Sequence, residues 1–300
     1  MFKFDSSRAP GDYALPSAAI AIFCGSAGAA ALKLLTITPP GQAIAERSAV
    51  AAAILLIWSL VQGQGRFGMI NGSAWLRAVL DAIAAFTFAL AIFELPLSML
   101  TAINMSVPIV AMVLAAALLR ERVTRYQVLA IAVGFAGIVI VVQPNVAVAL
   151  TGIALAVVST FAYALRDAAN RRISATSSGA QTALVSVILA GTAGALLGGT
   201  TGWIIPPAID IVAVGLTGLC YVASSTLIIK ALRSAPLTAV STLRYTAIFW
   251  AILFDFLIDG RVPGPPTLLG AALVILSGLI LMRPLKAKRF VLRRKDNAQS

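Results

Sequence analysis

Histidine is absent from this sequence, and cysteine occurs only twice, as Cys24 and Cys220. Both cysteines fall inside apolar segments and neither has a Cys-x-x-Cys partner. The chain therefore has no disulfide framework and no zinc-ligand spacing, and neither a metal nor another cofactor is expected. Charge is scarce too: Asp, Glu, Lys and Arg together make up 11% of the residues, against about 25% in a soluble domain. Acidic residues are the rarer sign, 11 against 23 basic ones. No Walker A sequence, G-x-x-x-x-G-K-[ST], occurs, so nothing points to ATP hydrolysis. An intramembrane protease or transferase would need an acid–base or metal constellation. With no histidine, no carboxylate pair at helical spacing and no serine–base dyad, an enzyme is not expected.

What the sequence does have is apolar length. Hydrophobic residues make up 60% of its 300 positions, and the mean hydropathy is +0.95. A water-soluble fold cannot bury that much apolar surface, so the lipid bilayer is the expected solvent. The formal net charge of +12 does not indicate nucleic acid. Its cations sit in short gaps between apolar runs and in a tail from Arg283 to Lys295, not on one face interleaved with exposed aromatics. Residues 15–32 imitate a secretory h-region, with Ala29–Ala31 as a cleavage-like stretch. The run is long for that purpose, and the topology below requires it as a helix.

A spanning helix needs about 20 mostly apolar residues. Ten such runs are predicted, at 15–34, 42–62, 73–93, 96–118, 126–143, 151–171, 181–199, 209–231, 236–258 and 266–283. Short connections rich in proline and glycine separate them, among them Pro39-Pro40-Gly41 and Pro206-Pro207. With the N-terminus inside, alternate connections carry Lys3 and Arg8, Arg66 and Arg77, Arg120, Arg122 and Arg125, Arg171 and Arg172, Lys230 and Arg233, and the tail. The other side keeps Lys33, Arg47 and Arg261, while Arg166 and Arg244 lie within helices. This asymmetry predicts a multi-pass protein of a bacterial inner membrane with both termini cytoplasmic: a segment 1–14 and a basic tail 284–300.

The second half repeats the first. Residues 96–144 align with 236–284 at an offset of 140, placing Pro96 over Pro236 and Pro144 over Pro284. Each copy holds five helices, and five is odd, so the second copy enters the membrane from the opposite side. The predicted fold class is an all-α integral membrane protein of ten transmembrane helices in two inverted five-helix repeats, 15–143 and 151–283, a pattern typical of secondary transporters.

The segments "ELPLSMLTAINMSVPIVAMVLAAALLRERVT" (94–124) and "SAPLTAVSTLRYTAIFWAILFDFLIDGRVP" (234–263) carry a family resemblance. Together with the two five-helix halves, each with a proline opening its fourth helix, they resemble the EamA-type drug/metabolite transporter superfamily. Glu121 occupies the position of that family's Gly-Glu-Arg-Leu glutamate, and Arg47 resembles its arginine at the head of the second helix. The second half departs from the pattern, with Arg261 where the family usually has glutamate. The resemblance implies alternating-access export of a small metabolite, often an amino acid or related compound. It also implies a central cavity, with the fifth and tenth helices bracing the fold. A passive channel is the alternative reading, and it fits an inverted repeat poorly.

The candidate pathway residues come from the repeat. At the offset of 140, Ser98 falls on Thr238, Thr101 on Ser241 and Asn104 on Arg244. Spacing of three keeps each trio on one helical face. Arg244 cannot shed its charge and carries five donors, so it is expected at a cavity, where it would favour an anionic group on the solute. Tyr245, Trp250, Tyr163 and Tyr221 are candidate aromatic lining. Asp81 is a buried candidate to counter Arg244 or to carry a coupling proton. Asp255 lies eleven residues beyond Arg244 on nearly the same face and is expected in water at the outer mouth. Arg166 and Asp167 are expected to snorkel or pair locally near the inner end. Trp58, Trp75 and Trp203 fit an interfacial belt. Expected partners are a small-molecule solute and the lipid bilayer, with protons as a candidate coupling ion and a monomer or homodimer as the assembly.

Overall fold

The computed structural model describes residues 14–61, 72–119, 125–142, 150–170, 179–234, 243–260 and 262–281. Among them the regular structure is entirely helical. The helices are α1 (Ala14–Lys33), α2 (Pro40–Val61), α3 (Gly72–Glu94), α4 (Leu97–Asn104), α5 (Val107–Leu119), α6 (Arg125–Val142), α7 (Leu150–Asn170), α8 (Gly179–Thr201), α9 (Ala208–Ser234), α10 (Ala247–Asp259) and α11 (Pro265–Leu281). The N-terminal segment, the basic tail, Pro236, Thr238, Ser241, Glu121, Arg261 and Pro144 lie outside the described residues. Among the described residues six helices are long and apolar enough to cross a membrane: Leu15–Lys33, Pro40–Val61, Gly72–Glu94, Leu150–Asp167, Gln181–Thr201 and Ala208–Ile228. Shorter apolar helices add Leu97–Ala111, Val128–Val141 and Pro265–Ile280.

The packing inverts the soluble rule of large residues inside. Buried positions of α3 are almost all alanine (Ala74, Ala78, Ala82, Ala84, Ala85, Ala89, Ala91), with Ile92 the exception. Large apolar side chains such as Ile57, Leu196 and Val212 point outward. Small residues at the seams let helices meet through backbone contact, the means of association left when lipid is as apolar as leucine. One close seam joins α2 to α8, where a β-carbon on Gly41 would come 2.5 Å from the Gly198 nitrogen. A second joins α6 to α11, where a β-carbon on Gly270 would meet the Gly137 carbonyl at 2.5 Å. Elsewhere α1 lies against α9, α3 against α7, and α4 against α10.

The run expected as one helix over 96–118 is broken. α4 stops at Asn104, Met105 and Ser106 form a turn, and α5 starts at Val107. Pro108 explains the break: it has no N–H to offer, and its ring collides with the carbonyl four residues back, that of Asn104. The Ser106 hydroxyl caps the loose end by donating to the Ile103 carbonyl at 2.5 Å. A matching turn at Tyr245-Thr246 precedes α10, and there the Thr246 hydroxyl donates to the Leu243 carbonyl at 2.7 Å. Both members of that second bond stand 140 residues beyond those of the first.

Two buried carboxylates tie helix ends to neighbours. Asp210, fully buried in the first turn of α9, accepts from the backbone N–H groups of Thr36 (3.0 Å) and Thr38 (3.1 Å), and from the Thr38 hydroxyl (2.6 Å). It thereby fixes the turn between α1 and α2. Asp255 accepts from the Leu97 and Ser98 N–H groups at 2.9 and 2.7 Å. It thus supplies from α10 the anion that the exposed donors at the start of α4 require. Lys33 bridges the same carboxylate at 2.9 Å and Asp259 at 3.0 Å. The expectation that water solvates Asp255 is therefore corrected: the residue is 1% exposed, because α1 and α4 close over it.

Candidate functional site

A cavity of about 380 Å³ lies among α1, α2, α3, α7, α8, α9 and the two helix breaks. The first break contributes Met105, Val107 and Pro108, and the second contributes Arg244, Tyr245 and Ala247. Neither α6 nor α11 supplies a described lining residue. Those two helices pack on each other, and the Tyr245 hydroxyl occupies the space that a β-carbon on Gly278 of α11 would take.

One end of the cavity is strongly polar. Arg166 of α7 donates from Nη1 to Asp81 Oδ1 of α3 at 2.6 Å. Its Nε and Nη2 donate to Asp167 Oδ1 at 3.0 and 2.8 Å. The guanidinium also lies 4.6 Å over the Tyr163 ring. Ser186 of α8 donates to the other Asp81 oxygen at 2.7 Å. Arg244 reaches only the far oxygen of Asp167, at 3.7 Å, and its side chain stays 44% exposed. Two more arginines line the same space. Arg47 donates to the Ala85 carbonyl at 3.2 Å, while its Nε is buried without a partner; the Nε of Arg77 is likewise buried and unpartnered. Among the described residues four guanidinium groups thus stand against two carboxylates, both of them engaged by Arg166. A net positive potential of this kind draws anions into a cleft with low-dielectric walls.

The lining also includes apolar residues, among them Ile22, Phe88 and Ile92. Tyr221, Ser224 and Ser225 of α9 add hydroxyls to the lining. Such a pocket, mostly apolar with a few convergent polar groups, is the usual form of a small-molecule site.

The structure brings Arg244, Asn104, Thr101, Tyr245, Asp81, Tyr163 and Tyr221 to this one cavity. Asn104 donates to Ser159 at 3.2 Å and so is partly occupied by α7. Trp250 is not among the described lining: it packs edge-on against Phe23 at 4.8 Å and against Phe249 at 5.2 Å. The helix break at Tyr245-Thr246 lies between Arg244 and Trp250, so a continuous helical phase does not carry from one to the other. Asp81 does not counter Arg244; its partner is Arg166, which pairs locally with Asp167, as one of its two expected roles has it, and reaches across to α3 as well. Arg47 and Arg77 were counted with the loops because each lies within about two turns of a helix start. The i, i+4 spacing of Arg77 and Asp81 in an apolar run was a signal that could have placed both on an inward face.

Comparison with known proteins bears directly on this arrangement. The EamA-like transporter family model matches the chain twice, over residues 14–143 and 150–283. An uncharacterized transporter of Helicobacter pylori strain J99 is 27% identical over 217 residues, covering 69% of this chain and 72% of that protein. A second uncharacterized transporter, from Helicobacter pylori strain 26695, is 25% identical over 228 residues with the same coverages. A solved crystal structure superposes with a TM-score of 0.66 over 92% of this chain and 100% of that chain, at 18% identity, a likeness of fold alone. Apolar spans, small-residue seams and a double match over both halves lead to one conclusion: the chain is a multi-pass membrane protein belonging to the EamA-like transporter family.

Proposed function

We propose that the protein is a secondary transporter that moves a small metabolite across a bacterial inner membrane by alternating access, in the direction of export. The observation that carries this reading is the cavity at the junction of two broken helices, lined by both halves of the chain. Broken helices leave backbone groups and side chains free to hold a solute at the middle of the membrane, and two similar halves can rock about it. Ten spans in two inverted repeats, 15–143 and 151–283, account for the helix pairing. Exchanging the halves turns the α1–α9 pair into the α7–α3 pair and returns α2–α8 and α6–α11 to themselves. The equivalent turns at Ser106 and Thr246 support the same relation. A basic N-terminal segment and tail favour cytoplasmic termini.

The test is counterflow in proteoliposomes loaded with unlabelled solute. Saturable uptake of labelled solute, accelerated by the internal pool, is the expected result. Linear, non-saturating flux without acceleration would favour a passive channel. Repeating the measurement with and without an imposed pH gradient decides whether protons are coupled.

A further inference from the structure

The charge of the solute is written in the cavity's carboxylates, or rather in their partners. A free carboxylate is the strongest receiver for the ammonium group of an amino acid or an amine, because it offers a charge-assisted hydrogen bond. Asp81, the acidic residue among the described lining, is held by Arg166 and Ser186. Asp167 behind it is held by Arg166 through two bonds and approached by Arg244. The remaining described acids are engaged away from the cavity. Glu46 bonds Gln42, Glu94 accepts from Thr151, Asp210 holds the α1–α2 turn, and Asp255 and Asp259 share Lys33. The cations show the opposite. Arg47 and Arg77 line the cavity without an ion pair to a carboxylate among the described residues, and Arg244 is only loosely engaged. A buried donor without a partner is costly, and so is an uncompensated charge within the bilayer. A bound anion at these guanidinium groups compensates that charge.

Resting on the transporter reading of the same cavity, we infer that the solute is a small amphipathic organic anion without an ammonium group. Its carboxylate, sulfonate or phosphate-type group sits between Arg47 and Arg77. Its apolar body lies toward Ile22, Phe88 and Ile92. This departs from the amino acid that the family resemblance alone suggests. Arg166 is then a positioning residue, pinned by its two aspartates to hold Tyr163 and the α3–α7 wall in place.

The test uses the full chain in phosphatidylcholine liposomes and three probes with one aromatic body: phenylacetate, phenylalanine and phenethylamine. Half-saturating concentrations come from thermal stabilisation, and transport comes from counterflow. Phenylacetate is expected to bind at least about tenfold more tightly than the zwitterion, with no binding by the amine. Arg47→Gln and Arg77→Gln are each expected to weaken phenylacetate by about tenfold or more. Asp81→Asn, which frees Arg166 from one carboxylate, is expected to tighten it, a gain that misfolding cannot produce. Phenylalanine or phenethylamine binding as well as phenylacetate, no binding of phenylacetate, or unchanged affinity in Arg77→Gln would overturn the inference. Displacement of phenylacetate by added phosphatidylglycerol would put a lipid headgroup in the cavity and also overturn it. Counterflow of phenylalanine alone would leave the transporter reading standing and remove the anion. Phenylacetate binding in the expected charge order, without counterflow of any probe, would do the reverse.

Discussion

Arg166 donates to Asp81 at 2.6 Å, and that bond joins α7 to α3 along one wall of the cavity. Both side chains are largely buried, at 16% and 18% exposure, so the pair is shielded from water. Removing Asp81 leaves Arg166 with Asp167 as its remaining carboxylate and takes the acceptor from Ser186, at a cost of about 1–3 kcal/mol. Asp81→Ala is therefore expected to lower the thermal unfolding midpoint of the purified protein clearly. Asp81→Asn can keep its bond from Ser186, and the expected loss is smaller. Equal midpoints for the two variants would show that the ion pair adds nothing beyond the hydrogen bond.

Asp255 differs from Lys33 in what its loss exposes. The carboxylate holds two backbone N–H groups at the start of α4 as well as Lys33. Asp255→Ala leaves the two N–H groups unsatisfied and Lys33 with Asp259 alone, and is expected to cost about 3 kcal/mol. Lys33→Met removes one partner and leaves the carboxylate its two N–H donors, so about 1–2 kcal/mol is expected. Unfolding midpoints measured side by side check the order.

At Gly270 the backbone of the neighbouring helix stands where a side chain would begin. Gly270→Val must push α11 away from α6, and overpacking of this kind costs about 1–3 kcal/mol. Because neither helix supplies a described lining residue, the expected outcome is a lower unfolding midpoint with substrate affinity unchanged in the protein that remains folded.

Arg244 stands at the cavity with a single long contact to Asp167, so its charge contributes little to the fold. Arg244→Ala is expected to yield normal amounts of folded protein with counterflow abolished or redirected to another solute. Wild-type flux in this variant would remove Arg244 from the pathway.

Pro108 interrupts the backbone ladder beside the cavity. Pro108→Ala restores the missing N–H and lets α4 and α5 run together. If the break serves the conformational step, counterflow is expected to slow several-fold while solute affinity holds. A matched fall in affinity and rate would instead make the break part of the binding surface.

Helix positions were legible to a residue or two because a bilayer imposes a minimum apolar length. The expected 151–171 is Leu150–Asn170, and the expected 73–93 is Gly72–Glu94. The exceptions are 96–118, which turns at Met105-Ser106 beside Pro108, and 236–258, which turns at Tyr245-Thr246 and whose residues 236–242 lie outside the described residues. Side-chain partners were not legible. Asp81 and Arg166 are 85 residues apart, and Lys33 and Asp255 are 222 apart. Which of them meet depends on which helices pack together.

By itself, then, the sequence determined a membrane protein of apolar helices with two similar halves, a polar position at Asn104 and Arg244, and too few acids to balance its bases. These follow from composition and spacing, which act along one chain. Only the tertiary structure decided that Asp255 is buried, that Trp250 faces away from the cavity, and that Arg47, Arg77 and Arg166 belong inside it. The reason is geometric. A helix end in the sequence is not an end in space once neighbouring helices extend past it, and a charge one or two turns in is then enclosed by them.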